Sequence, residues 1–429
     1  MLRNLVAKLK PLGKSQIFWC VLGATICLVW MGTLKETEHP DYADASQYIG
    51  SAINIAKHGV VNDGLHAPNE PVVPSISREP GYPLLLSVVF QLDDSLDKIT
   101  RDCLYEGGCG TEPYVLGKWT NRLLIVAAGF VMFFAVRGIT ESPFAAVFGG
   151  MHIWLNHQAH KNHDYMISDP FALFLASLLV FSIVWAWKRS NPIAWIFPAA
   201  VFVSLTFTKA VYIYFLPLAL IAGLIVTILN KSIWRSSLSK LLVFAFVAIT
   251  PILLWMDRNH DITGRYQFTD SRGGIALSTR VVFNDMDFVD YLAAFTYWTR
   301  GAGDGWAEDL FPPEVVQPFG WYEENGYYLR GQLGFGKRVN EIVETEGLTR
   351  VEAADKAEKE LKHAILSHPI KHIATTFPLI YRGIWIDEFA VITFPSFIAL
   401  LVYALKRRNP LLIAVLLPSL FSLVFYATF

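Results

Sequence analysis

Charge is what this sequence has little of. Of its 429 residues only 17% are Asp, Glu, Lys or Arg, against 53% hydrophobic; a globular domain usually carries about a quarter. The charges avoid the long apolar runs and mean hydropathy is +0.37, which excludes an ordinary water-soluble domain and predicts an all-α polytopic membrane protein. Cysteine is scarce too, four in all. Cys20 and Cys27 fall inside the first apolar run and read as small apolar fillers. Cys103 and Cys109 sit in a polar, Gly-rich loop. An oxidising compartment would let them pair, and a reducing one would leave two thiols. There is no internal repeat and no low-complexity tract, and no His-x-x-x-His spacing around His163 and Asp164. His163 and Asp164 with a further carboxylate are the set a divalent cation could use. No metal is assigned on that basis, and no nucleic-acid partner is expected.

What is present is segregated charge. Arg3, Lys8, Lys10 and Lys14 precede an apolar run at 17–34. No Ala-x-Ala site directly follows it (Ala43-Asp44-Ala45 begins nine residues on), so it reads as a retained anchor with a cytoplasmic N-terminus. Further runs at 121–136, 143–155, 167–187, 193–207, 211–229, 241–255, 389–405 and 411–429 bring the count to about nine spans. One topology puts Arg137, Lys188, Arg189, Lys231, Arg235, Lys240, Lys406, Arg407 and Arg408 all on the cytoplasmic side. It requires 82–92 and 365–385 to lie on the outer face as juxtamembrane helices. Residues 1–256 then form a transmembrane catalytic module with a first outer loop at 35–120. Residues 257–388 form an outer loop with juxtamembrane helices, and 389–429 a closing pair of spans. Within the outer loop, Thr349 with Glu352 is a capping box that starts a helix. Val351, Ala354, Leu361 and Ile365 continue it at helical spacing, and Pro369 stops it.

The candidate residues all fall on the outer face of that topology. Asp44 is a carboxylate able to take a proton from an acceptor group; it is equally suited to cap a helix, and Asp41 could fill either role. Tyr48 follows Asp44 at helical spacing. Arg78 and Glu79 lie in Ser77-Arg78-Glu79-Pro80-Gly81-Tyr82-Pro83, where the guanidinium reads as a phosphate ligand or as an interfacial anchor. Asp169 opens a span and is a functional candidate or a helix start before Pro170; His163 lies just ahead of it. Lys209 is a lone basic residue in an outer turn, against the usual charge bias, and suits a phosphate. Arg258-Asn259 follows a span. Ser271-Arg272-Gly273-Gly274 allows close backbone approach to a phosphate or sugar, or forms a plain turn.

The order of these motifs resembles the GT-C superfamily of polytopic glycosyltransferases, in its protein O-mannosyltransferase and aminoarabinose lipid A transferase branch. The matching elements are Asp44-Ala45-Ser46-Gln47-Tyr48, Arg78-Glu79-Pro80-Gly81-Tyr82-Pro83-Leu84, Ser168-Asp169, Leu205 to Lys209, Arg258-Asn259 with Ser271 to Gly274, and the Ala-rich stretch from Ala357 to Pro369. Phe207 splits the Leu-Thr-Lys element, and Asp stands at 169 where Glu is commoner. The resemblance implies a GT-C-like helix bundle in the inner membrane and a polyprenyl-phosphate-linked monosaccharide donor. It implies inverting transfer to a protein, lipid A or polysaccharide acceptor at the periplasmic face. Asp44 would be the general base, and Arg78, Lys209 and Arg258 would hold the donor phosphate. Asp41, Tyr48, Glu79, Tyr82, Asp169 and His163 would support them. Two rival readings use the same charges: a flippase for a lipid-linked glycan, disfavoured by the lack of ionisable residues inside the spans, and an O-antigen ligase or polymerase.

Overall fold

The computed structural model describes residues 14–65, 70–229, 234–270 and 272–428; Arg3, Lys8, Lys10, Lys231 and Ser271 lie outside them. Every regular element among the described residues is helical. Five helices are long and apolar enough to cross a membrane: Ser15–Thr33, Glu112–Thr140, Asp169–Trp187, Ala210–Ile228 and Trp234–Thr263. The protein is therefore α-helical and multi-pass, since a helix bonds its own backbone and so can sit in hydrocarbon. The chain divides into two compact units, Met1–Thr269 with Ala404–Val415, and Asp270–Tyr403 with Leu416–Phe429.

The first unit opens with α1 (Lys14–Thr33), then α2 (Asp44–His58) and α3 (Gly81–Gln91). The helices α4 (Val115–Thr140), α5 (Pro143–Trp154), α6 (Asp169–Trp187) and α7 (Ile196–Thr208) follow. Next come α8 (Phe215–Leu229) and α9 (Trp234–Thr263). The helix α5 departs furthest from the expected spans. It has 12 residues, about 18 Å at 1.5 Å per residue, where hydrocarbon is roughly 30 Å thick. Its buried Trp154 lies against Gly129 of α4, where any β-carbon would fall 2.1 Å from the indole nitrogen. That nitrogen donates to the Val126 carbonyl at 3.0 Å. The segment after α5 nonetheless carries the chain back to the end where α1 finishes. There the Met166 amide donates to the Pro40 carbonyl at 3.0 Å, and the Asn121 side chain donates to the Tyr165 carbonyl at 2.8 Å. Arg137, near the far end of α4, donates to Gln16 at the start of α1, at 2.6 Å. The runs Pro192–Thr208, Ala390–Lys406 and Pro410–Phe425 are apolar but also shorter than the five.

The second unit holds α10 (Arg272–Phe283), α11 (Phe288–Tyr297), α12 (Gly303–Leu310), α13 (Tyr327–Glu346), α14 (Arg350–Ser367) and α15 (Pro369–Ile384). The helices α16 (Ala390–Lys406) and α17 (Pro410–Thr428) follow, with residues 404–415 assigned to the first unit and the rest of both to the second. The Thr349–Glu352 capping box forms with both of its reciprocal bonds. Pro369 does not merely end α14; it occupies the first turn of α15, where its missing N–H costs nothing. Gly274 is a point of close packing. A β-carbon there would lie 2.3 Å from the Phe335 ring, so the glycine lets α10 and α13 pack closely.

Candidate functional site

The site grows from the first turn of α2. Ala43, just before it, holds φ 56° and ψ −124°, a region that costs a non-glycine residue on the order of 1–3 kcal/mol. This turn sets Asp44 at the helix start, with Gln47 one turn on along the same face. Both point at Arg78. Its guanidinium donates to both Asp44 oxygens, at 3.2 Å from Nη1 to Oδ2 and by a closer contact from Nη2 to Oδ1. Its Nε donates to Gln47 Oε1, and the group lies 4.9 Å over the Tyr48 ring. The arginine side chain is 2% exposed and the aspartate 61%. A buried, fully engaged cation thus holds an accessible carboxylate by its two oxygens. Burial, the largest influence, pulls the Arg78 pKa down, but the Tyr48 phenol and the Asp44 carboxylate outweigh it and the net shift is upward.

The turn after Arg78 locks onto the end of α7. Gly81 sits so close that a β-carbon would fall 2.6 Å from Thr208 Oγ1 and 2.7 Å from the Phe207 carbonyl oxygen; only glycine fits. Glu79, 4% exposed, accepts from the Ala210 amide at 3.2 Å, and its other oxygen is buried without a partner. Lys209, between these contacts, reaches Asp169 Oδ1 at 3.3 Å. Ser168 donates to the Tyr48 hydroxyl at 3.1 Å. Tyr48 meets Tyr82 edge to face at 5.5 Å, and Tyr82 donates to Asn121 at 3.1 Å. Arg258, on α9, donates to the Ser75 carbonyl at 3.1 Å and to Asn259 at 2.9 Å, and lies 4.5 Å over the Trp255 ring. Asp44, Tyr48, Arg78, Glu79, Tyr82, Asp169 and Lys209 are thereby joined at one end of the first unit. Arg258 ties in through the irregular stretch before Arg78, at Ser75.

Two candidates lie apart from them. Asp41 is 4% exposed. Its Oδ2 accepts from the Cys109 amide at 3.0 Å and the Tyr114 hydroxyl at 3.1 Å. Cys103 and Cys109 are bonded to each other, with Cα atoms 4.7 Å apart, so Asp41 pins a disulfide loop, and Asp44 is the more exposed of the two carboxylates. His163 belongs to a second polar group. Its Nδ1 meets the His160 carbonyl at 2.8 Å and its Nε2 approaches Arg122 at 3.4 Å. Glu36 bridges Lys118 at 3.0 Å and Arg122 at 2.7 Å, which hold its carboxyl below the usual range, Arg122 most. Asp164 accepts from the Thr37 amide at 2.5 Å. Glu36, Thr37, His163 and Asp164 line a cleft of about 590 Å³. Among the described residues, no three His, Cys, Asp or Glu side chains converge on a metal position.

This second group makes stability depend on pH. His160 is fully buried. Burial, then the charges of His163 and His157, lowers its pKa from 6.5 to about 4. Between those values the unfolded chain binds a proton that the fold refuses. Stability is therefore full above pH 6.5 and falls as pH drops toward 4, by roughly 3 kcal/mol at most. Thermal unfolding in detergent should show a lower midpoint at pH 5 than at pH 8, and His160→Gln should shrink that difference. Equal midpoints for the wild type at the two pH values would contradict it.

No family profile, curated protein or solved structure matches this chain. Sequence reasoning passed over Gln47 and Ser168 as partners. Gln47 had a signal, its position three residues after Asp44 on one helix face. Ser168 had none, because its bond to Tyr48 spans 120 residues.

Proposed function

We propose that this chain is a membrane glycosyltransferase of GT-C type, moving a monosaccharide from a polyprenyl-phosphate donor to an acceptor with inversion. The observation that carries the reading is the Asp44–Arg78 pair, an accessible carboxylate oriented by a buried guanidinium at one end of a helical membrane unit. A general base needs that combination of access and fixed direction. Asp44 takes the proton of the acceptor hydroxyl. The acceptor oxygen bonds to the anomeric carbon as the bond from that carbon to the phosphate oxygen breaks, and polyprenyl phosphate leaves with the extra negative charge. Cations near that phosphate stabilise the charge as it develops.

Each nitrogen of Arg78 already donates to Asp44 or Gln47 and its side chain is 2% exposed, so its part in this reading is to position the base. Lys209 and Arg258 are the phosphate cations, and Asp169 orients Lys209. Because Arg137 lies at the opposite end, beside the start of α1, the positive-inside rule supports an inner-membrane protein with a cytoplasmic N-terminus and the site on the periplasmic face. A bonded Cys103–Cys109 pair fits an oxidising compartment. The acceptor class is protein, lipid A or polysaccharide.

Lys209→Met tests the phosphate clamp, since Met keeps the apolar stem and removes the charge. Single-turnover transfer from a synthetic polyprenyl-phosphate sugar, with membranes of the producing cell as acceptor, should slow about 10- to 100-fold. Equal rates at limiting donor would remove Lys209 from the site.

A further inference from the structure

The second unit holds a half-buried cation with no ion pair among the described residues. Arg382, in the last turn of α15, lies 5.2 Å from the Trp298 ring and 5.3 Å from the Trp321 ring. It is half-buried, and burial pulls its pKa down. Among the described residues, no carboxylate or hydrogen-bond acceptor meets it. Its nitrogens are absent from the sealed, unsatisfied polar atoms of the chain, so they reach the surface. Arginine at this depth normally faces a carboxylate or phosphate. Here two indoles hold it in place instead and leave its N–H edge open.

We infer that Arg382, clamped between Trp298 and Trp321, is the recognition cation of a binding site for an acidic saccharide, a sugar ring bearing a carboxylate or phosphate. The sugar part follows from the surroundings. Trp321 is stacked on Tyr328 at 3.6 Å yet 46% exposed, and the adjoining Tyr322 is 88% exposed. Aromatic faces held rigid at the surface take the C–H face of a pyranose, with little entropy lost on binding. Asp304, Glu308 and Glu323 act on neighbouring Tyr297; these carboxylates can accept sugar hydroxyls, while Arg382 takes the acid group. A lipid headgroup is the other source of such an anion. The apolar stripe of α15 ending at Phe377, which is 63% exposed, is the face suited to a bilayer. Five residues on, Arg382 is about 140° round the helix from it and faces away.

The inference stands on the second unit alone and does not need the transferase reading. Its test is calorimetric titration of the full chain in nanodiscs of zwitterionic lipid with four probes: digalacturonate, the neutral galactose disaccharide, a hexose 1-phosphate and inorganic phosphate. The two acidic saccharides should saturate, the neutral sugar should bind at least about 10-fold more weakly, and inorganic phosphate should bind less well than the hexose phosphate. Arg382→Gln should weaken both acidic saccharides by about 10- to 100-fold. Tyr322→Ala, which alters the exposed aromatic face but not the clamp on Arg382, should weaken them while leaving inorganic phosphate unchanged, a readout that loss of fold would not give. If Arg382→Gln does not fold, the wild-type preference for acidic over neutral sugar and the Tyr322→Ala result decide. Equal binding of acidic and neutral sugars, or no saturable binding, overturns the inference. Loss of saccharide binding in nanodiscs containing phosphatidylglycerol would assign Arg382 to lipid and overturn it too.

Discussion

Purified Asp44→Asn protein is expected to insert and melt close to wild type, yet transfer sugar about 10²- to 10⁴-fold more slowly. Asparagine keeps the shape and one oxygen for Arg78. It loses the proton acceptor and the second, charged contact. Because the Asp44 side chain is 61% exposed, the lost ion pair should cost little stability. Donor turnover with cell membranes as acceptor measures the effect, alongside a melting curve. Wild-type turnover in Asp44→Asn would remove the base from this position, and the buried, bonded Asp41 would not be a ready substitute.

The second large effect concerns Arg78, which acts through Asp44 without touching the reacting atoms. Arg78→Lys retains a positive charge but cannot bond both carboxylate oxygens and Gln47 together. Arg78→Gln loses the charge as well and leaves Asp44 without its guide. Both variants should lose transfer by at least about 10²-fold, with stability down by about 1–3 kcal/mol because a buried hydrogen-bonding group has gone. The double variant Arg78→Gln with Asp44→Asn should be no slower than Asp44→Asn alone, since the two residues act as one unit. A double variant slower by the product of the single effects would show that Arg78 contributes independently, as it would if it held the donor phosphate.

Much of this was open to a reading of the sequence, and the failures have physical causes. Apolar length announced a membrane-helical chain because a bilayer imposes length directly. It overstated 143–155, since a run that packs on Gly129 through Trp154 looks the same as one that faces lipid. The Thr349 capping box was visible because it is local. The contest between Asp41 and Asp44 was not decidable locally. It turns on the Cys109 amide and the Tyr114 hydroxyl, 68 and 73 residues from Asp41. Arg78 read as a phosphate ligand because charge and position are all that a sequence displays. That its hydrogen bonds are spent on Asp44 and Gln47 is a property of how α2 meets the turn at 78–81. Lys209 and Asp169 were each singled out, but their pairing across 40 residues has no sequence signal. At Gly274 the sequence could not say which approach the glycine serves: it permits a ligand or a helix to come close, and the Phe335 ring stands there.

The central claim, a sugar transfer that depends on the Asp44 carboxylate, meets its most direct test in the producing cell. Mass spectrometry of envelope glycans, lipid A and glycoproteins would be compared among cells carrying the wild type, cells carrying Asp44→Asn at equal membrane level, and cells without the protein. The account predicts one monosaccharide-sized modification present with the wild type and missing equally from the other two. A modification that persists in the Asp44→Asn cells, or envelopes identical in all three, would contradict it.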